Sequence, residues 1–178
     1  MDLINNIETK RLRLRPINHN DFEFFLISIK DDQVSENIKK IINLKNLENP
    51  EILFEEIIQL DAIFTLIISK KDTDEYIGIC GLNILADSNE AICFYALLPK
   101  YRGFGFAIEA MKILIAYGFL KFSLNKITTY VEPTSSAIWK VAERVGMKYL
   151  GHIQTSKPQS KVMYFSIERN EFEAQQVT

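Results

Sequence analysis

Three strand-length apolar runs follow one another between residues 62 and 98, separated only by short polar turns. This spacing limits the fold more than any other feature of the chain. The runs cover residues 62–69, 76–85 and 91–98; residues 70–74 and Asp87-Ser88-Asn89 make the turns. Parallel neighbours need crossovers of about a dozen residues or more, so turns this short predict an antiparallel meander. Gly78 and Gly81 weaken the middle strand or mark a bulge in it. Pro99 ends the third.

Beyond Pro99 the pattern changes. Residues 105–122 predict a long helix, apolar nearly all round except at Glu109, Lys112 and Lys121, and such a helix is buried on most sides. Residues 126–131 read as a strand. Residues 135–145 read as an amphipathic helix with Ala137, Ile138, Val141, Ala142 and Val145 on one side, and Gly146 stops it. Residues 148–153 and 162–167 are two more strands, joined by a polar loop over 154–161.

Upstream, residues 9–15 alternate Leu12 and Leu14 with Arg11, Arg13 and Arg15, which predicts a half-buried strand ended by Pro16. Residues 21–29 place Phe22, Phe25, Leu26 and Ile29 at helical spacing. Residues 34–47 read as helix with a loop. Asn49-Pro50 reads as an N-cap and first helical position ahead of Leu53, Phe54, Ile57 and Ile58. The segment from Asn170 is polar and expected to fray. The sum is one α+β domain over residues 1–178, with its core at about 7–168. Its sheet is mixed, mostly antiparallel, of roughly seven strands flanked by helices.

Bulk properties narrow the partners. A chain of 178 residues can bury its core without disulfides or metals. A net charge of −2 gives no support for nucleic-acid binding, where a basic face is expected, although it leaves room for a local basic patch; no nucleic-acid partner is expected. The opening through Pro16 has no apolar signal core, and no window reaches the ~20 apolar residues that span a bilayer. No membrane partner is expected, and the location expected is cytoplasmic. Cys80 and Cys93 sit in strand-like stretches and read as reduced, buried hydrophobes. His19 and His152 lie far apart, with no Cys/His spacing for zinc, so no metal is expected.

The candidate chemistry lies where the third strand hands over to the long helix, in Leu97-Leu98-Pro99-Lys100-Tyr101-Arg102-Gly103-Phe104-Gly105-Phe106-Ala107. A strand, a glycine turn and a helix leave the first helical N–H groups without partners. Those donors, at the positive end of the helix dipole, suit a phosphate. Gly103 and Gly105 remove side chains that would hold a phosphate away and permit unusual backbone angles. Arg102 adds a charge suited to phosphate. No Walker GxxxxGK[ST] string exists, and the third glycine of a dinucleotide GxGxxG is replaced by Ile108. Taken alone, the GxG also fits a helix start that merely needs room.

Here the residues meet a known family. Arg102-Gly103-Phe104-Gly105-Phe106-Ala107 resembles the (Arg or Gln)-x-x-Gly-x-(Gly or Ala) loop of GNAT N-acetyltransferases. The stretch Ile7-Glu8-Thr9-Lys10-Arg11-Leu12-Arg13-Leu14-Arg15-Pro16 is similar to the opening strand of the ribosomal-protein N-acetyltransferase-like branch. Tyr95-Ala96-Leu97-Leu98-Pro99-Lys100-Tyr101-Arg102-Gly103 resembles that branch's approach to the loop. Ala142-Glu143-Arg144-Val145-Gly146-Met147 resembles its closing Glu-Lys-Leu-Gly-Phe signature. The likeness runs over about residues 7–168.

The resemblance implies that the strand at 91–98 splays from a parallel strand at 126–131 and that the pantetheine arm of acetyl-CoA enters the gap. Backbone groups near Leu97 and Leu98 would bind that arm. Arg102, Gly103, Phe104, Gly105, Phe106 and Ala107 would hold the pyrophosphate. Ser135 stands where the family often has an asparagine that touches the arm, and it also reads as a helix N-cap. The family's usual proton donors would fall at Ala142 or Ile138, where this chain has no hydroxyl. Glu90 and Tyr95 are the candidate catalytic residues, read as bases and expected to line the acceptor side. The acceptor groove would be built by residues 21–60 and 154–161. The implied activity is transfer of an acetyl group from acetyl-CoA to a primary amine, on a small molecule or a protein N-terminus. The missing hydroxyls leave an alternative, a non-catalytic CoA-binding or regulatory module of the same fold. The resemblance also admits a homodimer.

Overall fold

The computed structural model of the protein describes residues 6–30, 49–60, 62–86, 88–154 and 161–176. The strands are β1 (Ile7–Glu8), β2 (Leu12–Pro16), β3 (Ile63–Lys70), β4 (Tyr76–Leu85), β5 (Glu90–Leu97), β6 (Lys126–Val131), β7 (Lys148–Gln154) and β8 (Lys161–Glu168). The helices among the described residues are α1 (Phe22–Ile29), α2 (Pro50–Gln59), α3 (Phe106–Lys121), α4 (Ser136–Arg144) and α5 (Arg169–Gln176). The predicted helix and loop over residues 34–47 lie outside the described residues.

The eight strands among the described residues form one sheet in the order β1-β2-β3-β4-β5-β6-β8-β7. The predicted meander is β3-β4-β5, antiparallel throughout. The expected bulge falls beside Gly78: Ile68 pairs with Gly78 and Ser69 with Tyr76, leaving Ile77 over. Every neighbouring pair is antiparallel except β5 and β6. The eighth strand arises at the start. A single strand was expected over residues 9–15, but the chain turns there and makes a β1–β2 hairpin, with Thr9 N–H bonded to the Leu12 carbonyl at 2.9 Å.

Helices cover both faces. On one face α3 and α4 pack on Leu12, Leu14, Leu66, Ile68 and Leu82. On the other, α1 and α2 pack Phe25, Leu53, Phe54 and Ile57 on Ile67, Ile79 and Phe94. Asn49 caps α2 as expected, its side chain accepting from the N–H groups of Glu51 and Ile52. Helix α3 buries one stripe, including Ala110, Leu114, Ile115 and Phe119, while Leu120 is 75% exposed. Fully burying a side chain such as Leu114 or Phe119 stabilises by about 1.5–3 kcal/mol.

The polar C-terminal segment departs from expectation. It forms α5 rather than fraying, because it has specific partners. Phe172 lies 5.2 Å from Phe119 between ring centroids, Arg169 donates to the Phe119 carbonyl at 2.7 Å, and Lys148 pairs with Glu171. One aromatic residue and one arginine anchor a helix whose composition alone looks unstructured.

Candidate active site

The site begins as a fork in the sheet. Strands β5 and β6 are parallel partners only at Glu90–Lys126, Ala91–Ile127 and Ile92–Thr128. The Thr128 hydroxyl, 3.4 Å from the Ala91 carbonyl, pins the closed end. From Cys93 onward β5 stays with β4 and β6 stays with β8, so the two strands part. The splay expected from the sequence is present. It leaves the inner edge of β5 beyond Ile92 without a strand partner, which exposes backbone polar groups that need another.

A cleft of about 260 Å³ opens from the fork to the start of α3. Tyr95 and Leu97 of β5, Gly103 and Gly105 of the loop, and Ile138 and Val141 of α4 line it. A smaller pocket adjoins it deeper in the fork, between Cys93 and Tyr95 on one side and Thr129, Ile138 and Ala142 on the other.

The loop has the backbone its sequence predicts. Gly103 has φ 86° and Gly105, the residue before α3, has φ 80° and ψ 4°. Both are left-handed conformations that L side chains rarely adopt. Space is not the reason for glycine here: a Cβ on Gly103 would meet nothing within 4 Å, and one on Gly105 only the Arg11 Nη2 at 3.6 Å. No side chain caps α3, and its first loop-to-helix bond runs from Glu109 N–H to the Gly105 carbonyl at 3.1 Å. The N–H groups of Phe106, Ala107 and Ile108 therefore have no acceptor within the helix.

Other loop groups are already engaged. Arg102 N–H bonds to the Pro99 carbonyl at 3.2 Å, and its Nε donates to the Leu97 carbonyl at 3.1 Å. Leu98 donates to the Ile77 carbonyl and accepts from Tyr101 N–H, each at 2.9 Å, and does not line the cleft. The free amides thus start after Arg102. Positive charge gathers here although the chain is net negative: Arg102, Lys140 and Arg144 line the cleft, and Arg11 reaches the Phe104 carbonyl at 3.0 Å.

The two candidate catalytic residues separate. Glu90 lies at the closed end of the fork, where its carboxylate pairs with Lys126 at 2.8 Å. Tyr95 lies five residue steps further along the strand, roughly 17 Å away. Glu90 therefore does not share the cleft, and the expectation that it lines the site is corrected. Tyr95 does line it, but on the face of α3 and α4. Its neighbours Phe94 and Ala96 turn to α1 and α2, as strand alternation requires. Burial pushes the Tyr95 phenol well above its ordinary pKa, against the opposing influence of Arg102. The phenol is therefore held in its neutral form at neutral pH.

Ser135 precedes α4, and its side chain makes no capping bond; it does not line the cleft. Helix α4 turns Ala137, Ile138 and Val141 toward the cleft and buries Ala142, so this wall carries no hydroxyl. The expected acceptor groove falls partly on residues 31–48 and 155–160, outside the described residues. Among the described residues no group of three or more His, Cys, Asp or Glu could hold a metal. No helix among them is long and apolar enough to cross a membrane. Sequence reading missed Arg11 and Glu109. They are 98 residues apart, and only the hairpin brings the first onto the second.

The comparisons with known proteins agree with this geometry. The model of the acetyltransferase (GNAT) domain matches residues 11–148, and the chain belongs to that family. It is 38% identical over 89 residues to p20 of Bacillus licheniformis, an uncharacterized N-acetyltransferase, a match that spans 49% of either chain. It is 27% identical over 165 residues to the uncharacterized N-acetyltransferase YoaA of Bacillus subtilis, covering 89% of this chain and 91% of that one. A GNAT-family acetyltransferase of Bacillus anthracis shares the fold, with a TM-score of 0.75 at 19% identity over 93% of this chain and 99% of that one. So does the spermidine N-acetyltransferase of Vibrio cholerae solved with CoA and spermine, with a TM-score of 0.74 at 19% identity over 93% and 99%. Fold and family are those of an acetyltransferase.

Proposed function

We propose that the chain is a cytoplasmic, acetyl-CoA-dependent N-acetyltransferase that moves an acetyl group to a primary amine, on a small molecule or a protein N-terminus. One observation carries the reading: the β5–β6 fork opens directly onto an uncapped helix start with Gly103 and Gly105 left-handed and cations around it. The fork offers an unpaired strand edge to an amide-bearing arm. The amides of Gly103, Phe104, Gly105, Phe106 and Ala107 offer donors to a pyrophosphate. The cleft takes a long ligand with an anionic end and an apolar waist. Two free, buried cysteines suit a reducing compartment.

In the reaction the amine nitrogen bonds to the acetyl carbon and the carbon–sulfur bond breaks. The amine gives up a proton to solvent, and the departing sulfur takes one up. Tyr95 shares the inner pocket with Ile138 and Ala142, the positions that lack a hydroxyl, and it also lines the main cleft. We assign it as the donor to the leaving sulfur. A positioned acid of this kind contributes about 10²-fold or more.

The first test is the melting temperature with acetyl-CoA, CoA and ATP. A ligand bound to the folded state alone raises it. A rise with both CoA forms and not with ATP is expected, followed by free thiol release when amines are added. Polyamines come first among those amines, because a structural neighbour was solved with spermine. Absence of any rise would remove the cofactor. The α4 wall without a hydroxyl supports a second reading, a CoA-binding module without turnover. A rise in melting temperature with no thiol released by any amine would favour it.

A further inference from the structure

Arg11 stands at the turn of the β1–β2 hairpin and reaches the loop before α3. Its backbone N–H donates to Glu109 Oε1 at 2.8 Å, its Nε to Glu109 Oε2 at 2.7 Å, and its Nη1 to the Phe104 carbonyl at 3.0 Å. Its guanidinium carbon lies 4.5 Å from the centroid of the Phe106 ring. Glu109 also accepts from the Thr9 hydroxyl at 2.6 Å, so one carboxylate in the first turn of α3 holds the hairpin turn at three points. The planar guanidinium is thereby fixed in orientation before it meets the loop.

We propose that Arg11 is a positioning residue that sets the Phe104–Gly105 peptide plane and so aims the Gly105 N–H at a phosphate; this rests on the CoA reading of the loop. The argument is geometric. In a trans peptide the C=O and N–H point in opposite directions. Arg11 draws the Phe104 carbonyl to itself, so the Gly105 N–H points away from Arg11. Glycines at 103 and 105 give this loop more backbone freedom than any other residue type would. Nothing in their own side chains selects one orientation of the 104–105 peptide. The bond from Arg11 does.

The expected effect falls on ligand affinity rather than folding. The Arg11 side chain is 43% exposed, and ion pairs at that exposure add little to stability. A lysine would keep the charge but not the fork that grips Glu109 and the Phe104 carbonyl together. Charge and positioning therefore separate by experiment.

The test compares wild type with Arg11→Gln and Arg11→Lys by calorimetric titration of CoA, by melting temperature without ligand, and by the amide proton shift of Gly105 on adding CoA. Both variants should weaken CoA by about tenfold, which corresponds to about 1.4 kcal/mol. Both should melt within a few degrees of wild type and lose the downfield shift of Gly105 that is expected of wild type. Wild-type affinity in Arg11→Lys would overturn the proposal, because charge alone would then suffice. Unchanged affinity in both variants would overturn it as well, leaving the CoA reading in place. A wild type that does not bind CoA would sink that reading and this proposal together.

Discussion

Gly78 faces Leu97 across the β4–β5 ladder, and a Cβ on Gly78 would lie 2.0 Å from the Ala96 carbonyl oxygen and 2.9 Å from the Leu97 Cα. The open end of β5 has lost β6, so β4 alone holds it, and it does so at a separation only glycine permits. The obstacle is backbone, which cannot rotate aside. Gly78→Ala should destabilise by about 1–3 kcal/mol, the range for overpacking a tight site, read from urea unfolding. The variant should also weaken CoA binding, because the strand end it displaces forms the cleft wall. Unchanged stability would mean that β4 and β5 separate without cost.

Gly105→Glu tests the phosphate loop. The left-handed φ of 80° strains any L residue, and a carboxylate here would compete with Glu109 and the Phe104 carbonyl for Arg11, turning the loop amides out of line. Arg11, 3.6 Å from the Cβ position, gives the new side chain a partner, so the protein should still fold. The rise in melting temperature with CoA should vanish. A CoA affinity equal to wild type would show that the pyrophosphate does not lie there.

Tyr95→Phe removes one oxygen from the cleft and no apolar surface. Turnover should fall by about 10²-fold with little change in acetyl-CoA affinity or melting temperature. Burial raises the pKa of this phenol, so the neutral form persists through the neutral and mildly alkaline range. The wild-type rate should therefore show no alkaline loss from Tyr95 ionisation below about pH 10, the ordinary tyrosine value. Full activity in Tyr95→Phe would return the proton transfer to water.

What could be read from the sequence was local or periodic. Short turns gave the β3-β4-β5 meander, Asn49-Pro50 gave the start of α2, and the spacing of Gly103 and Gly105 gave the left-handed loop before α3. What could not be read depends on partners distant in sequence. The polar residues of α5 gain order only against Phe119 and Lys148. Arg11 reads as the outward residue of a strand until the hairpin lays it on Glu109. Glu90 lies only a few residues from Tyr95 along the chain, yet the fork opens in one direction and leaves it at the closed end. Residue type named the phosphate loop, and strand divergence decided which residues of β5 share its cleft.

The two cysteines should be inert in the native state. Burial pushes the Cys93 thiol up to about 12 and raises Cys80 as well. The thiolate is the reactive form, and a free cysteine has a pKa near ~8.5. A thiol-specific reagent at pH 8 should label neither residue in folded protein and both in denaturant. Rapid labelling of the native state would show that the sheet opens at Cys80 or Cys93.

Acidification should loosen the hairpin from the loop. Partial burial alone would raise the pKa of Glu109, but the Thr9 hydroxyl, the Arg11 N–H and the Arg11 guanidinium outweigh it and hold the carboxyl below its ordinary value. A lowered folded-state pKa stabilises above the unfolded value, and that contribution is lost as pH falls through the folded value. The window thus lies below about pH 4.5. There, wild type should lose melting temperature more steeply than Glu109→Gln, whose amide has no proton to gain. Above pH 6 the variant should melt lower than wild type, since an amide accepts the hairpin's donors less strongly than a carboxylate. Parallel curves for the two proteins from pH 7 to pH 3 would mean that Glu109 is not what ties the hairpin to α3.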